Sequence, residues 1–174
     1  MERKDYLKER DLLHKLGGFS KSIFNNHHLD NLSEFVLHDL CSQNLFNISK
    51  AAYFINNPDF SCMKGIVGYY HPESFSAGNS WDTIKDFSSH MQQSNFNKKV
   101  RSIYDKSIVF DKNGSEKKNI YNLADQLEIV NPMYHVWNAK YDNQGLLIFE
   151  TPQDNEIHEH IERFMPILSF CSVF

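Results

Sequence analysis

The chain carries nine histidines, and imidazole is the side chain that most readily binds metal or moves a proton near neutral pH. Their spacing does not gather them. His158 and His160 are two apart on an expected helix, so they point about 200° apart and cannot easily share one ion. Glu156 and His160 are four apart and read as an exposed pair on a solvated face. His27 and His28 are adjacent, between helices. No metal site is expected. His71 and His135 differ, because each ends or lies on an expected strand beside aromatic residues. Two readings stay open for them: a half-buried histidine bonded to main chain, or a polar contact in a ligand pocket.

The three cysteines, Cys41, Cys62 and Cys171, are scattered and form no CxxC pair, which excludes a zinc ribbon and a thioredoxin-like motif. Cys41 and Cys171 fall on apolar helix faces and read as core. Cys62 begins a strand beside Lys64, and a nearby cation can lower a thiol's pKa. There is no G-x-S-x-G elbow and no glycine-rich phosphate loop. Asp82, Asp86 and Glu73 flank Trp81 without a base at useful spacing. The segment does not read as an enzyme. A pocket is the better reading: Tyr69, His71, Trp81, His135 and Trp137 combine aromatic walls with a few polar groups, as small-ligand sites do. The alternative is that these aromatics are simply core. No cofactor is indicated.

The elements that must position these residues follow from periodicity. Residues 3–24 are amphipathic at helical spacing, and Gly17-Gly18 should kink or end that helix. Asp30 is placed to cap a helix presenting Leu32, Phe35, Val36, Leu40 and Cys41. Strands are expected at 50–56, 62–70, 107–110, 133–140 and 145–150. Gly65 and Gly68 inside the second strand signal a bulge or the close approach of another backbone. Simple alternation sets Met63, Gly65, Val67 and Tyr69 on one face of it. The 72–110 stretch, with Trp81, Phe87 and Phe96, reads as a lid over one face of the sheet. A last helix should start near Asp154, with Ile157, Ile161, Phe164 and Leu168 at helical spacing. The fold class is α+β: a central antiparallel sheet of about five to six strands flanked by N- and C-terminal helices.

Composition agrees with one soluble domain. The chain has 174 residues, 41% hydrophobic and 23% charged, with 14 Phe, 8 Tyr and 2 Trp. Its net charge of -4 argues against direct nucleic-acid binding. The charged start is unlike a signal peptide, and no apolar run approaches the roughly 20 residues of a membrane helix. A cytoplasmic setting without disulfides is expected. The apolar ending MPILSFCSVF reads either as a terminal element docked on the core or, the preferred reading, as a point past which a longer protein continues.

The helix LSEFVLHDLCSQNLF precedes KAAYFINNPDFSCMKGIVGYY; VNPMYHVWNAKYDNQGLLIFETP forms a late hairpin; EIHEHIERFMPILSFCSVF closes the chain. This order resembles a GAF domain, the small sensory module of signalling proteins (GAF/PAS-like). The resemblance covers roughly 30–174, with 1–29 as an N-terminal helical segment. The cyclic-nucleotide signature of that family is absent, Asn138-Ala139-Lys140 does not reproduce it, and no cysteine precedes a histidine as in bilin-binding members. The tryptophan, tyrosine and aspartate cluster of autoinducer-binding domains is not evident either. The resemblance implies a signal-sensing domain that binds a small molecule and/or mediates dimerisation and regulates a following output module in transcription or cyclic-dinucleotide signalling. The apolar stripes of 3–24 and 154–174 lead us to expect a homodimer built on the first and last helices. The alternatives are a ligand-free dimerisation or interaction module, and a small thiol-dependent enzyme using Cys62.

Overall fold

The computed structural model describes residues 3–111, 114–150 and 158–171. In order they form α1 (Arg3–Asn25), α2 (Leu32–Cys41), β1 (Lys50–Asn57), β2 (Cys62–Tyr70), a 3-10 segment at His71–Glu73, α3 (Ile84–Gln93), α4 (Asn95–Arg101), β3 (Tyr104–Lys106), α5 (Glu116–Gln126), β4 (Pro132–Asn138), β5 (Gln144–Glu150), α6 (His158–Phe164) and a 3-10 segment at Met165–Phe170. The strands form one antiparallel sheet ordered β3-β2-β1-β5-β4. The α+β class and the flanking helices therefore hold.

Apolar alternation along β1 builds two cores. Ala51, Tyr53 and Ile55 face a layer made by α1, α2, α3 and the C-terminal segment, while Ala52 and Phe54 face Phe96, Val100 and α5. Large side chains such as Phe35, Tyr53, Phe54 and Phe87 are fully buried, each contributing about 1.5–3 kcal/mol. Among the described residues no helix is long and apolar enough to cross a membrane.

Several local expectations are corrected. α1 runs unbroken through Gly17-Gly18. Burial of Leu16, Phe19 and Ile23 against the core outweighs the roughly 1 kcal/mol that a helical glycine costs. The N-cap position of α2 is Asn31, not Asp30, and no side chain caps the helix there: the Asn31 amide donates to Glu34 and Ser88. The strand expected at 107–110 lies at Tyr104–Lys106. Beyond it the Ser107 N–H still reaches the Ser61 carbonyl, but Ile108 is gripped by a side chain: Asn56 donates to its carbonyl at 2.8 Å and accepts from its N–H at 2.8 Å. The start expected for the last helix, near Asp154, lies outside the described residues. From Met165 the backbone tightens to 3-10, with Pro166 at its beginning, where a missing N–H costs no helical bond.

The faces of β2 also differ from simple alternation. The register shifts between Tyr53 and Phe54, which leaves Ile66 as an extra residue. Met63, Gly65 and Gly68 consequently meet the α4 side, whereas Val67 and Tyr69 join the opposite core. Both glycine readings, bulge and close approach, are realised here.

The 72–110 stretch is not a lid on one face. Phe87 and Met91 of α3 belong to one core, and Phe96 and Val100 of α4 to the other. Between them the chain wraps the side of β2 that β3 leaves uncovered: Gly65 N–H donates to the Ile103 carbonyl (3.0 Å) and Gly68 N–H to Asn97 Oδ1 (2.9 Å). Glu73 fastens the wrap, accepting from the Ser94 hydroxyl (2.6 Å) and the Phe96 N–H (3.0 Å). Burial works to raise its carboxyl pKa, but those bonds, the Asn95 amide and His90 outweigh it and hold the group below its ordinary 4.5. A carboxylate lowered on folding contributes stability that is full above pH 4.5 and lost as pH falls through the lower folded value. Glu73→Gln is expected to lower the melting temperature at pH 7 and to flatten its decline below pH 4.5, measured by calorimetry across pH.

Candidate functional site

The five residues selected from the sequence fall into two groups. All lie on or beside the core formed with α1 and α2, but Tyr69 pairs with Ala51, while Trp137 pairs with Gly145, itself opposite Ile55. They sit at opposite ends of the sheet with β1 and β5 between them.

The first group surrounds the C-terminal half of α2. The Tyr69 ring meets His38 edge-on at 5.5 Å, and its hydroxyl lies 3.3 Å from His71 Nδ1. Burial chiefly, with Cys41 adding and Ser74 opposing, raises the Tyr69 pKa to about 12. Trp81 packs on Phe35 at 4.9 Å and donates its indole N–H to Asp39 at 2.6 Å. His38 Nε2 accepts the Phe75 N–H at 3.1 Å, which assigns its ring proton to Nδ1. That buried nitrogen has no hydrogen-bond partner among the described residues, and the nearer Asp39 oxygen is 3.7 Å away. His38 and Asp39, unremarked in the sequence, are what bind Phe75 and Trp81 to α2. His71 is exposed.

The second group is His135 and Trp137. The indole lies over Gly145, where a β-carbon would collide with it, and stacks on Tyr53 at 5.6 Å with 9° between the planes. Its N–H donates to the Ser169 hydroxyl, and His135 stacks on its outer side at 5.6 Å. Trp137 thus carries the core out to the sheet edge.

An open cavity of about 410 Å³ lies elsewhere, between the β3 end of the sheet and α5. The i, i+3, i+7 spacing of Asn119, Asn122 and Gln126 places three carboxamides along one wall. Asp105, Lys106 and Ser107 form the other, and Met63, Ile108 and Leu123 supply apolar floor. Its size falls within the range of small-ligand pockets. Each carboxamide offers donors and an acceptor, and the lysine and aspartate add one charge of each sign. That set suits a compact polar or zwitterionic molecule with an apolar portion. Ser107 is the single hydroxyl in the lining, and no histidine or cysteine accompanies it. The carboxamide spacing was visible in the sequence, but the misplaced third strand concealed the opposite wall. Another depression of about 410 Å³, beside α4, is lined in part by Asn97 and Arg101, each of which donates to Glu34.

The thiols separate clearly. Burial pushes Cys41 well above its ordinary value and Cys171 up to about 12. Cys62 is half-buried at the start of β2, opposite Lys106, with the Tyr104 side chain beside its sulfur. A disulfide reagent at pH 8 is expected to modify Cys62 in the native protein and to reach Cys41 and Cys171 only on unfolding. Fast labelling of all three without denaturant would contradict this burial pattern. Among the described residues no group of three or more histidine, cysteine or acidic side chains is arranged to hold a metal ion.

Comparison of the chain with models of known families, with curated proteins and with solved structures gives no match.

Proposed function

We propose that the chain is a small-molecule-binding regulatory module of GAF-like organisation that passes a ligand-dependent change to a module joined to it. The observation that carries this reading is the 410 Å³ groove between β3 and α5 with its polar walls and apolar floor. In this reading the ligand sits there rather than at Tyr69, His71, Trp81, His135 and Trp137. The indole N–H groups of the two tryptophans are already engaged, by Asp39 and Ser169. β3 is only three residues long and exposed throughout, so a ligand bridging Lys106 to α5 would stiffen an edge otherwise held by few bonds. A bound state differing in that way is what a sensor needs, since a ligand shifts an equilibrium only by its differential affinity for two states.

The test is a thermal-shift screen of amino acids, nucleotides and sugars on the wild type and on Asn122→Trp. Asn122 is exposed, so the change should cost within about 0.5 kcal/mol of stability. It fills the groove and should weaken binding of any hit at least tenfold. A hit that binds Asn122→Trp as tightly as wild type would place the ligand elsewhere.

A second reading, a ligand-free module that acts by self-association, is favoured by the uncharged, half-exposed strand β4 at the sheet edge. The cytoplasmic setting belongs to this proposal as well.

A further inference from the structure

Part of the apolar stripe of each terminal helix, the expected dimer surface, is used inside the chain, while Leu13, Phe24 and Phe170 stay exposed. Leu16, Phe19 and Ile23 of α1, Ile161 of α6, and Met165 and Leu168 after it are all buried in one intramolecular core. The sheet, by contrast, ends in an open edge. β4 is outermost, every residue from Pro132 to Val136 is half-exposed, and the strand carries no charge. Natural edge strands are normally blunted by charge, bulges or extreme shortness. β4 is seven residues long, carries no Asp, Glu, Lys or Arg and pairs with β5 without a register shift; Pro132 at its start is its one blunting device.

Its hydrogen-bond phase follows from the hairpin. Ala139 N–H donates to the Asn143 carbonyl at 2.8 Å, and β4 pairs with β5 in the same register, His135 opposite Leu147 and Val136 opposite Leu146. Main-chain groups of alternate residues point the same way in an antiparallel pair. Those of Met133, His135 and Trp137 therefore turn inward to β5, and those of Tyr134 and Val136 turn outward. Among the described residues no hydrogen bond reaches the Tyr134 or Val136 main chain from outside. Pro132, next in the outward phase, has no N–H to offer. The free window is thus centred on His135 and closed by proline on one side.

We propose that β4 pairs antiparallel with β4 of a second copy about a twofold axis at His135, joining the two sheets into one. Tyr134 N–H then donates to the Val136 carbonyl of the other copy, and Val136 N–H to its Tyr134 carbonyl, on each side of the axis. Met133 falls opposite Trp137 and His135 opposite itself, as a self-complementary twofold contact requires. The strand holds no Asp, Glu, Lys or Arg, so with His135 neutral no like-charge pair opposes the contact. A second copy related by the twofold uses the same two outward residues on each strand to satisfy all of each other's donors and acceptors in the window. This inference stands independently of the groove.

Sedimentation of the full chain at high micromolar concentration should show a dimer. Val136→Pro removes an outward N–H without touching the β5 ladder and should give a monomer with unchanged circular dichroism. A register test accompanies it. Paired non-hydrogen-bonded residues lie about 4.5 Å apart between Cα atoms, within the roughly 4.4–6.8 Å span of a disulfide. In a Cys62→Ser background, His135→Cys should cross-link to itself under oxidised glutathione and Met133→Cys should not. A monomeric wild type, a dimer that keeps its affinity with Val136→Pro, or failure of His135→Cys to cross-link would each overturn the proposal. Should Val136→Pro not fold, the cross-linking pair decides.

Discussion

Gly65→Ala is expected to be the most damaging single-methyl change in the molecule, lowering the melting temperature by about 10 °C or preventing folding. A β-carbon at position 65 would lie 2.8 Å from the Val100 carbonyl carbon and closer still to its oxygen. The obstacle is main chain, so no rotamer change relieves it. Either α4 moves away, breaking the Gly65 N–H bond to Ile103 and the Gly68 N–H bond to Asn97, or β2 distorts beside its bulge. Overpacking costs about 1–3 kcal/mol where side chains can adjust, and more than that is expected against fixed backbone. A domain of this size loses about 2–4 °C per kcal/mol. Gly17→Ala supplies the contrast. Nothing lies within 4 Å of its added carbon, and the helix around it should gain about 0.5–1 kcal/mol. Thermal denaturation of the two variants should move in opposite directions, and similar losses at both sites would mean that α4 does not press on β2.

Asn97→Leu is expected to cost about 3 kcal/mol. Asn97 is 1% exposed and joins three elements. Its amide donates to Glu34 Oε1 of α2 at 3.0 Å and to the Met91 carbonyl of α3 at 2.9 Å, and its carbonyl accepts the Gly68 N–H of β2. Leucine has similar bulk and none of these groups. Each buried polar group left without a partner costs about 1–3 kcal/mol. Glu34, 2% exposed, keeps Arg101 and Asn31, so its share of the loss is small, while the Gly68 and Met91 groups lose their partner outright. Urea unfolding should show a lower midpoint with unchanged slope. Asn97→Asp should cost as much, because it sets a second carboxylate against Glu34.

Strong periodicity made much of the fold legible. α1, α2, β1 and the β4–β5 hairpin follow directly from apolar spacing, and the glycines of β2 announced both a bulge and a close backbone. What the sequence hid was decided by side chains acting as main chain. Asn56 continues the sheet edge past Lys106 by holding Ile108, so apolar residues 108–110 look like a strand but do not pair as one. Asn97 and Glu73 likewise fold 72–110 around an edge, where spacing alone suggested a lid. The candidate residues Tyr69 and Trp137 share a face, as alternation requires, but the strand order that separates them is set by pairings distant in sequence.

Amide hydrogen exchange with and without a hit from the metabolite screen tests the ligand-binding proposal most directly. Slowed exchange confined to 103–108 and 116–127, absent in Asn122→Trp, is the expected result. Protection centred on Tyr69 and Trp81 or on 133–137, with the groove unchanged, would contradict it.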